Sequence, residues 1–348
     1  MMKKFPFHLG QSFIGIIAVV VLGVLLAFYS LVLLWPQGNP YNSVKVTIPS
    51  GASLKEVSAH LQDNSIIRNE RSFLLAVKAL GYEKDIPAGR FKLIKAQTNF
   101  DIIDQLVNGV HLNKQVTIFE GWTVSMIARV LEEKLGMDPE AFENACNNSL
   151  LLWKWGIAAE SFEGYLFPET YRFSEDESPQ EIVGRMVEEY KKNFNDDLRM
   201  RMKDIGMTER EVITLASIIE GEAIYNRERS VIAGVYHNRL KQGMRLQADP
   251  TIQYIVEDGP RRLLKKDLKI DSPYNTYLNY GLPPGPINNP GLESIKAALY
   301  PADTEYLYFV ARGDGYHNFS RTEEEHNKAK REFQKLRRKV KRQRTKKG

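Results

Sequence analysis

The sequence predicts an α+β protein, and three observations support this prediction. A long uncharged stretch near the N-terminus, residues 13–35, is typical of a transmembrane helix. A strand–turn–helix pattern then occurs twice, which indicates small β–α units. Farther along, helix-capping sequences alternate with loops and short strand-like runs, as expected for a mixed α+β domain. A chain of 348 residues is long enough for two or three such domains.

The composition excludes several classes of protein. The single cysteine, Cys146, excludes an internal disulfide framework and a cysteine-based metal cluster. The net charge of +5 is misleading, because residues 328–348 alone carry +11 and the other 327 residues therefore carry −6. The basic character lies in a C-terminal tail and gives little support for nucleic-acid binding. No nucleic-acid partner is predicted.

The uncharged stretch has the length of a membrane anchor. Residues 13–35 form a run of 23 residues without a charge, and at about 1.5 Å per residue a helix of this length crosses a hydrocarbon core of about 30 Å. Lys3 and Lys4 precede it and no basic residue follows before Lys45, so the positive-inside rule places the N-terminus in the cytoplasm. A cleaved signal peptide is the alternative, although its apolar region is usually about 7–15 residues. The sequence predicts an uncleaved anchor with the rest of the chain outside the cytoplasm.

The internal repeat predicts two units of similar construction. The sequence VTIPSG at residues 46–51 reappears as VTIFEG at residues 116–121. Ser53 and Glu56 form a capping box after the first copy, and Thr123 is the matching N-cap after the second. Each copy therefore predicts a strand, a glycine turn and a helix.

The first copy, with a return strand at residues 89–93, resembles a LysM-type wall-binding module over residues 44–112. Generic β–α units that only build structure are the alternative, and the pattern does not decide between the two.

A helix with two candidate catalytic carboxyl groups begins after Thr208, which forms a capping box with Glu211. Glu220 lies about 100° from Ile219, at the edge of the stripe that should face the core. No basic residue is among its helical neighbours, so the carboxyl should lose hydration and retain its proton, as a general acid requires. Glu222 competes for this role, and spacing alone does not separate the two. A solvated charge on a helix face is the alternative for either. The stripe consists of Val212, Leu215, Ala216, Ile219 and Ala223.

The segments after this helix are rich in amides and aromatic rings, the groups that build carbohydrate-binding grooves. Residues 271–290 should form a loop, residues 307–310 a strand, and Thr322 should cap a last helix that runs into the tail. Asp249 precedes a proline, so a turn is the alternative to a role in the site. The candidates for holding a sugar are Asn238, Gln247, Tyr254, Asn275 and Tyr277.

Several stretches, in this order, resemble the endolytic murein transglycosylases of the MltG type. The resemblance covers roughly residues 13–335 and leaves out the basic tail. The stretches are EGYLFPETY (163–171), LASIIEGEA (215–223), NRLKQGMRLQADPT (238–251), YNTYLNYGLPPGPINNPG (274–291) and YLYFVARGDGYHNFSRTEEEH (306–326).

The resemblance implies a lyase that cuts within nascent peptidoglycan strands. It would break the bond between N-acetylmuramic acid and N-acetylglucosamine, leave a 1,6-anhydro end and so terminate strand elongation. The catalytic glutamate of the family corresponds to Glu220, and Glu222 matches a second acid with a supporting role. One carboxyl group suffices for this reaction, because the C6 hydroxyl of the sugar replaces water as the nucleophile.

The resemblance also implies an architecture and partners. The expected fold is α+β, with an N-terminal transmembrane helix, a LysM-like βααβ subdomain and a mixed α+β catalytic domain. The expected partners are peptidoglycan glycan strands, the bacterial cell membrane and peptidoglycan synthases, without a cofactor. His317, Glu325 and His326 match no ligand spacing, so no metal is predicted. The expected segments are a cytoplasmic N-terminus (1–12), the transmembrane helix (13–35), a linker (36–43), the LysM-like subdomain (44–112), the catalytic domain (113–327) and the basic tail (328–348).

Two other classes of protein remain to be considered. A membrane-anchored scaffold that binds peptidoglycan without cutting it would need only the LysM-like subdomain, and Glu220 with its surrounding motifs argues against it. An anchored protease is a third class, but the sequence has no Ser/His/Asp or HExxH pattern.

Overall fold

The computed structural model describes residues 9–34, 43–49, 51–94, 98–107, 113–257, 259 and 261–345. The first eight residues, residues 36–42 of the predicted linker and the last three residues of the predicted tail lie outside the described residues. The chain divides into two compact units, Met1–Lys114 and Gln115–Gly348.

The first unit is built around one antiparallel pair of strands. In this pair Ser43 lies opposite Ile94 and Ile48 lies opposite Gly89. The predicted order of strand, two helices and return strand is present, and one more helix follows it. The elements are α1 (Leu9–Leu33), β1 (Ser43–Ile48), α2 (Leu54–Asp63), α3 (Glu70–Leu80), β2 (Gly89–Ile94) and α4 (Asn99–Val107).

The start of α2 confirms the predicted capping box. The Ser53 hydroxyl accepts the Glu56 N–H at 3.3 Å, and the Glu56 carboxylate accepts the Ser53 N–H at 2.7 Å. Val57 and Leu61, one turn apart on this helix, are fully buried against the strands and α3. The cap thus fixes where the helix begins, and its apolar face supplies part of the core of this unit.

Helix α1 is long, and the burial of its described side chains changes toward its C-terminal end. Apolar side chains between residues 19 and 28 are largely exposed, whereas Leu33 is buried in the core of the first unit. The Asn99 amide donates a hydrogen bond to the Val32 carbonyl at 2.6 Å, which ties this end to α4. Within the residues that the structure describes, no helix combines the length and the apolar character that crossing a membrane requires. Membrane insertion of residues 13–35 stays a prediction from the sequence.

The second unit is mainly helical and contains two small sheets. Strand β3 pairs with β4, and β5 forms an antiparallel hairpin with β6 in which Tyr308 lies opposite Ser320. The mixed α+β class predicted for the chain is confirmed. The strands are β3 (Asn113–Thr117), β4 (Thr170–Ser174), β5 (Tyr308–Ala311) and β6 (His317–Ser320). The helices are α5 (Val124–Leu135), α6 (Pro139–Cys146), α7 (Ser149–Trp155), α8 (Pro179–Asn193), α9 (Asp196–Asp204), α10 (Glu209–Glu222), α11 (Asn226–Lys241), α12 (Asp249–Ile255), α13 (Leu292–Leu299) and α14 (Glu323–Thr345), with a 3₁₀ turn at Asp267–Lys269.

The two copies of the sequence repeat adopt the same local structure. Gly51 and Gly121 have φ angles of +79° and +78°, in the left-handed region that favours glycine. Each lies between a strand and a helix, and Thr123 caps α5 by accepting the Met126 N–H at 3.3 Å. The predicted strand–turn–helix repeat is confirmed.

Helix α10 is the central helix of the second unit. Thr208 and Glu211 form the predicted capping box at its start. The prediction that a single stripe faces the core was too narrow, because Ile213, Thr214, Ser217 and Ile218 are also buried. The reason is that α9, α11, α12 and α13 pack against α10 from several sides. A helix surrounded in this way brings the residues at its end into the interior of the unit.

The C-terminal part of the chain agrees with the predicted elements. Residues 271–290 form a loop, and the predicted strand at residues 307–310 is β5. The Thr322 hydroxyl accepts the Glu325 N–H at 3.2 Å and so caps α14. This helix continues through the basic tail as far as Thr345.

Candidate active site

The end of α10 presents two carboxyl groups on different sides of the helix. Glu222 is the last helical residue, and the Ala223 backbone is already extended. The terminal carbonyl groups of a helix carry partial negative charge, so a carboxylate placed there needs donors from other elements. Glu220 and Glu222 obtain different donors, and this difference determines what each can do.

Glu220 is held in a buried ion pair. Its side chain is 6% exposed, and the Arg229 guanidinium lies 2.9 Å from Oε1. The Gly291 backbone N–H donates to Oε2 at 3.1 Å. The surroundings therefore differ from the apolar ones expected from the sequence. No basic residue is adjacent on α10, but α11 supplies one from the neighbouring helix.

Arg229 lies between two carboxylates. Besides Glu220, it approaches Glu120 at 3.7 Å, and it donates to Asn226 Oδ1 at 3.0 Å and to the Ser294 hydroxyl. Partial burial and the nearby Glu220 charge raise the pKa of the Glu120 carboxyl above its usual value. The arrangement Glu120–Arg229–Glu220, hereafter the carboxylate–arginine cluster, combines two acids with one cation.

The loop comes very close to this cluster at Gly291. A Cβ atom built on Gly291 would lie 1.8 Å from Glu120 Oε1. The sequence interpretation missed Glu120 and Arg229. One signal for Glu120 was available, because it occupies the position in the second repeat where the first has Ser50.

Glu222 is partly buried, and none of the residues that the structure describes forms an ion pair with it. Burial raises the pKa of its carboxyl to about 7, and the neighbouring Asp249 charge acts in the same direction. The Tyr236 hydroxyl donates to Glu222 Oε1 at 2.9 Å and opposes this shift, as does the Arg239 charge. Glu222 can therefore hold a proton near neutral pH, which is the property that a general acid needs.

Glu222 borders a polar cavity of about 420 Å³, a size suited to a small ligand or part of a polymer. Gln247, Asp249 and Tyr277, three of the residues singled out in the sequence, line the same cavity. The Tyr277 hydroxyl donates to Asp249 Oδ1 at 2.6 Å. The remaining lining residues are Arg239, Leu246, Phe309, Val310, Ala311, His317, His326, Lys330 and Phe333, the last two from the predicted basic tail.

The backbone at Gln247 is strained where it reaches the cavity. Its φ angle is +49°, in the left-handed region that residues other than glycine seldom adopt. The Thr276 carbonyl accepts the Gln247 N–H at 3.1 Å, and the Thr276 hydroxyl accepts the Ala248 N–H at 3.0 Å. Strain of this kind is often found at functional sites, where neighbouring contacts maintain it.

The other three predicted sugar-binding residues do not line this cavity. The Asn238 amide donates to backbone carbonyls of residues 304 and 306, at 2.7 and 3.0 Å. The Asn275 amide donates in the same way to residues 268 and 270, at 3.2 and 2.7 Å. Tyr254 packs against another tyrosine ring, with 5.1 Å between the ring centroids. All three fix the loops around the site.

A third buried carboxyl group lies beneath the loop that carries Gly291. Glu163 accepts the Val124 N–H at 3.1 Å and the Asn289 side-chain amide at 2.9 Å, and burial raises its pKa to about 8. The Asn289 oxygen accepts the backbone N–H groups of Gly164 and Leu166, both at 2.9 Å. This network joins the EGYLF segment to the loop at the carboxylate–arginine cluster.

The part of the chain that the structure describes contains no group of three or more His, Cys, Asp or Glu side chains placed to hold a metal ion. The chemistry that the site can perform on its own residues is proton transfer, for which Glu120, Glu220 and Glu222 are the candidate acids.

Comparison with known protein families shows the family to which this α+β protein belongs. The model of the YceG-like family matches residues 46–332, so the chain belongs to the YceG-like family. A crystal structure of a YceG-like protein from Listeria monocytogenes has 34% sequence identity and a TM-score of 0.59. The alignment covers 82% of this chain and 98% of that one.

Two curated relatives carry the same name. The endolytic murein transglycosylase of Bacillus subtilis is 36% identical over 308 residues, which cover 84% of this chain and 85% of the relative. The endolytic murein transglycosylase of Streptococcus pneumoniae strain D39 is 29% identical over 324 residues. That alignment covers 84% of this chain and 58% of the pneumococcal protein, which is the longer of the two.

Proposed function

We propose that the chain is an endolytic murein transglycosylase. It cleaves the bond between N-acetylmuramic acid and N-acetylglucosamine within peptidoglycan strands and leaves a 1,6-anhydro end. Family membership supports this function, and the structural observation that carries it is the Glu220 carboxyl, fixed by Arg229 and Gly291 at the end of α10. A binding scaffold would have no need for an acid with a raised pKa beside a polar cavity, as Glu222 is.

The reaction needs one carboxyl group that gives and then takes a proton. Glu220 donates a proton to the glycosidic oxygen as the bond to C1 of the muramic acid breaks. The C6 hydroxyl of the same sugar then attacks C1, and its proton passes to the Glu220 carboxylate. No water is consumed, and the enzyme ends in its starting protonation state.

In this proposal the carboxylate–arginine cluster has a supporting part in the proton transfer. With both carboxylates ionised, Glu120, Arg229 and Glu220 carry a net charge of −1, and one added proton neutralises the cluster. When Glu220 holds that proton, Arg229 keeps a carboxylate partner in Glu120, 3.7 Å away. Pairing with Glu120 reduces the cost of leaving the buried guanidinium without a counter-charge.

Glu222 is the rival for the catalytic role, because its pKa of about 7 and its place on the cavity suit a proton donor. The variants Glu220→Gln and Glu222→Gln separate the two. We expect Glu220→Gln to abolish anhydro ends and Glu222→Gln to reduce their rate of formation. The reverse ranking would assign the reaction to Glu222.

We also propose that the protein is anchored in the bacterial cell membrane by a single span, with its C-terminus outside the cytoplasm. The uncharged residues 13–35 and the exposed apolar side chains of α1 support this topology. A reporter that matures only outside the cytoplasm, fused after Gly348, should be active. Activity of a reporter restricted to the cytoplasm would contradict the topology and the access to substrate. Peptidoglycan synthases are the partners expected at this location.

For the first unit we propose a wall-binding role, supported by its βααβ order. Deleting residues 44–112 should weaken sedimentation of the protein with insoluble peptidoglycan while the second unit keeps its circular-dichroism spectrum. Sedimentation equal to that of the complete chain would show that this unit only builds structure.

A further inference from the structure

A second polar cavity lies beside the first turn of α11. Its volume is about 450 Å³, and it contains two arginines and several aromatic rings. The lining residues are Arg227, Glu228, Val231, Tyr306, Arg312, Tyr316 and Phe319. Neither the predicted sugar-binding residues nor the two carboxyl groups of α10 belong to it.

Arg227 is positioned by a stack of aromatic rings. Its guanidinium carbon lies 4.4 Å from the centroid of the Tyr316 ring. The Tyr316 ring in turn stacks on Tyr225, with a centroid distance of 4.3 Å and an interplanar angle of 20°. Gly315 has a φ angle of +89°, and a Cβ there would lie 2.8 Å from the Tyr225 ring. The turn between β5 and β6 thus packs closely against Tyr225. The stacked rings hold the Arg227 guanidinium in place.

The charge of Arg227 is not neutralised by the residues around it. The Glu228 carboxylate accepts a hydrogen bond from the His317 backbone N–H at 3.1 Å and lies 3.0 Å from His317 Nδ1. Arg312 forms an ion pair with Asp314. Among the residues that the structure describes, no carboxylate forms an ion pair with Arg227. Its planar group of N–H donors therefore remains available to a ligand.

The cavity is linked to the proposed reaction by three consecutive residues of α11. Arg229 binds Glu220, Glu228 holds the β5–β6 hairpin through His317, and Arg227 lines the cavity. Residues two apart on a helix point in directions about 200° apart, so Arg229 faces the interior while Arg227 faces outward. One helical turn thus fixes the position of the cavity relative to the carboxylate–arginine cluster.

We propose that this cavity binds a carboxylate of the peptide that is attached to the glycan strand, so that Arg227 selects strands that carry peptides. The inference rests on the proposed function. A guanidinium pairs with a carboxylate through two parallel hydrogen bonds, and Tyr306 and Phe319 can cover the apolar part of an adjacent amino acid. The peptides of peptidoglycan supply both a carboxylate and such side chains.

The test compares two substrates for the full-length protein in detergent. One is purified peptidoglycan strands with their peptides, and the other is the same strands after an amidase has removed the peptides. The rate of formation of anhydro ends is measured for each substrate. The readout is the rate with peptide-bearing strands divided by the rate with peptide-free strands. We expect a ratio of about ten for the natural sequence, the value of one charge-assisted contact.

Variants of Arg227 should change this ratio specifically. Arg227→Gln should bring it to about one, and Arg227→Lys should give an intermediate value, because lysine keeps the charge but lacks the planar pair of donors. Arg129→Gln removes an exposed charge from α5 and should leave the ratio unchanged. A natural protein that cleaves both substrates equally fast, or an Arg227→Gln variant that keeps the full ratio, would overturn the inference without affecting the proposed function. Absence of anhydro ends from both substrates would overturn the proposed function, and this inference with it.

Discussion

At the residue scale, the proposed reaction depends on how two acids, Glu120 and Glu220, share the charge of Arg229. The sequence located Glu220 through the LASIIEGEA motif, but helical spacing could not reveal Arg229, because its contact with Glu220 joins two helices. Breaking a buried pair by removing one partner typically costs about 3–5 kcal/mol. Glu220→Gln should therefore lower the stability of the protein as well as its activity.

Glu120 offers a test of the carboxylate–arginine cluster, because it takes no part in the expected bond cleavage. Glu120→Gln leaves Arg229 with no carboxylate partner when Glu220 is protonated. We expect kcat/KM to fall about 10- to 100-fold, which is at or below the low end of the roughly 10²–10⁴-fold that a positioned acid or base contributes, because Glu120 acts only through Arg229. Little stability should be lost, because the Glu120 side chain is 50% exposed. Glu132→Gln, at an exposed position of α5, is the control. Equal kcat/KM in the two variants would remove Glu120 from the mechanism.

The pH dependence of the reaction should report the state of Glu222. Its carboxyl is protonated below a pKa of about 7, and ionisation above it places a second negative charge beside Asp249. We expect kcat/KM of the natural sequence to decrease as the pH rises through 7, and this limb to be absent from Glu222→Gln. A variant that keeps the same limb would show that another group titrates there.

Glu163 should make the protein less stable as the pH rises. The pKa of its carboxyl is about 8 in the folded protein and near 4.5 when unfolded, so the folded state binds the proton more tightly. The free energy of unfolding should fall between about pH 4.5 and 8 by on the order of 5 kcal/mol and change little above that range. The free energy of unfolding, measured by urea denaturation at several pH values in this range, should decrease less steeply with pH for Glu163→Gln than for the natural sequence. An equal decrease in both proteins would contradict the raised pKa of Glu163.

At the element scale, α10 packs closely against α12 at the residue between the two glutamates. A Cβ on Gly221, between Glu220 and Glu222, would lie 2.6 Å from the Pro250 ring, which cannot rotate away. Gly221→Ala should cost about 1–3 kcal/mol by overpacking and should also displace Asp249 from Glu222.

Gly234→Ala is the matched control for this substitution. Its Cβ would lie 2.7 Å from the Ala302 carbonyl, away from both carboxyl groups. We expect both variants to lower the melting temperature, but only Gly221→Ala to lower kcat in the folded protein. Equal kcat values would show that the contact between α10 and α12 serves packing alone.

The elements that the sequence predicted well are those with local signals. Capping boxes at Ser53 and Thr208 and the glycine turns of the repeat involve residues close in the chain, so spacing sufficed to find them. The burial of α10 on all sides was missed, since it depends on four other helices. The amides of Asn238 and Asn275 were expected to hold sugars but bind backbone carbonyls, because composition does not tell a ligand contact from a loop contact.

At the scale of the whole molecule, the three candidate acids Glu120, Glu220 and Glu222 all lie in the larger unit. The repeat and the return strand predicted a strand, a helix and a second strand in the smaller unit, and the βααβ order was implied by the resemblance to a LysM-type module. Its binding role stays a prediction. Residues 328–345 were predicted as a basic tail, yet they continue α14 and bring Lys330 and Phe333 to the cavity next to Glu222. A charge pattern alone could not show that contact.

The most direct test of the central claim is mass analysis of purified peptidoglycan after incubation with the full-length protein in detergent. We expect products that end in 1,6-anhydro-N-acetylmuramic acid, their absence with Glu220→Gln in a sample shown to be folded by circular dichroism, and their presence with the Glu132→Gln control. Products with reducing N-acetylmuramic acid ends would show hydrolysis instead, and intact strands after incubation with the natural sequence would contradict the proposed activity altogether.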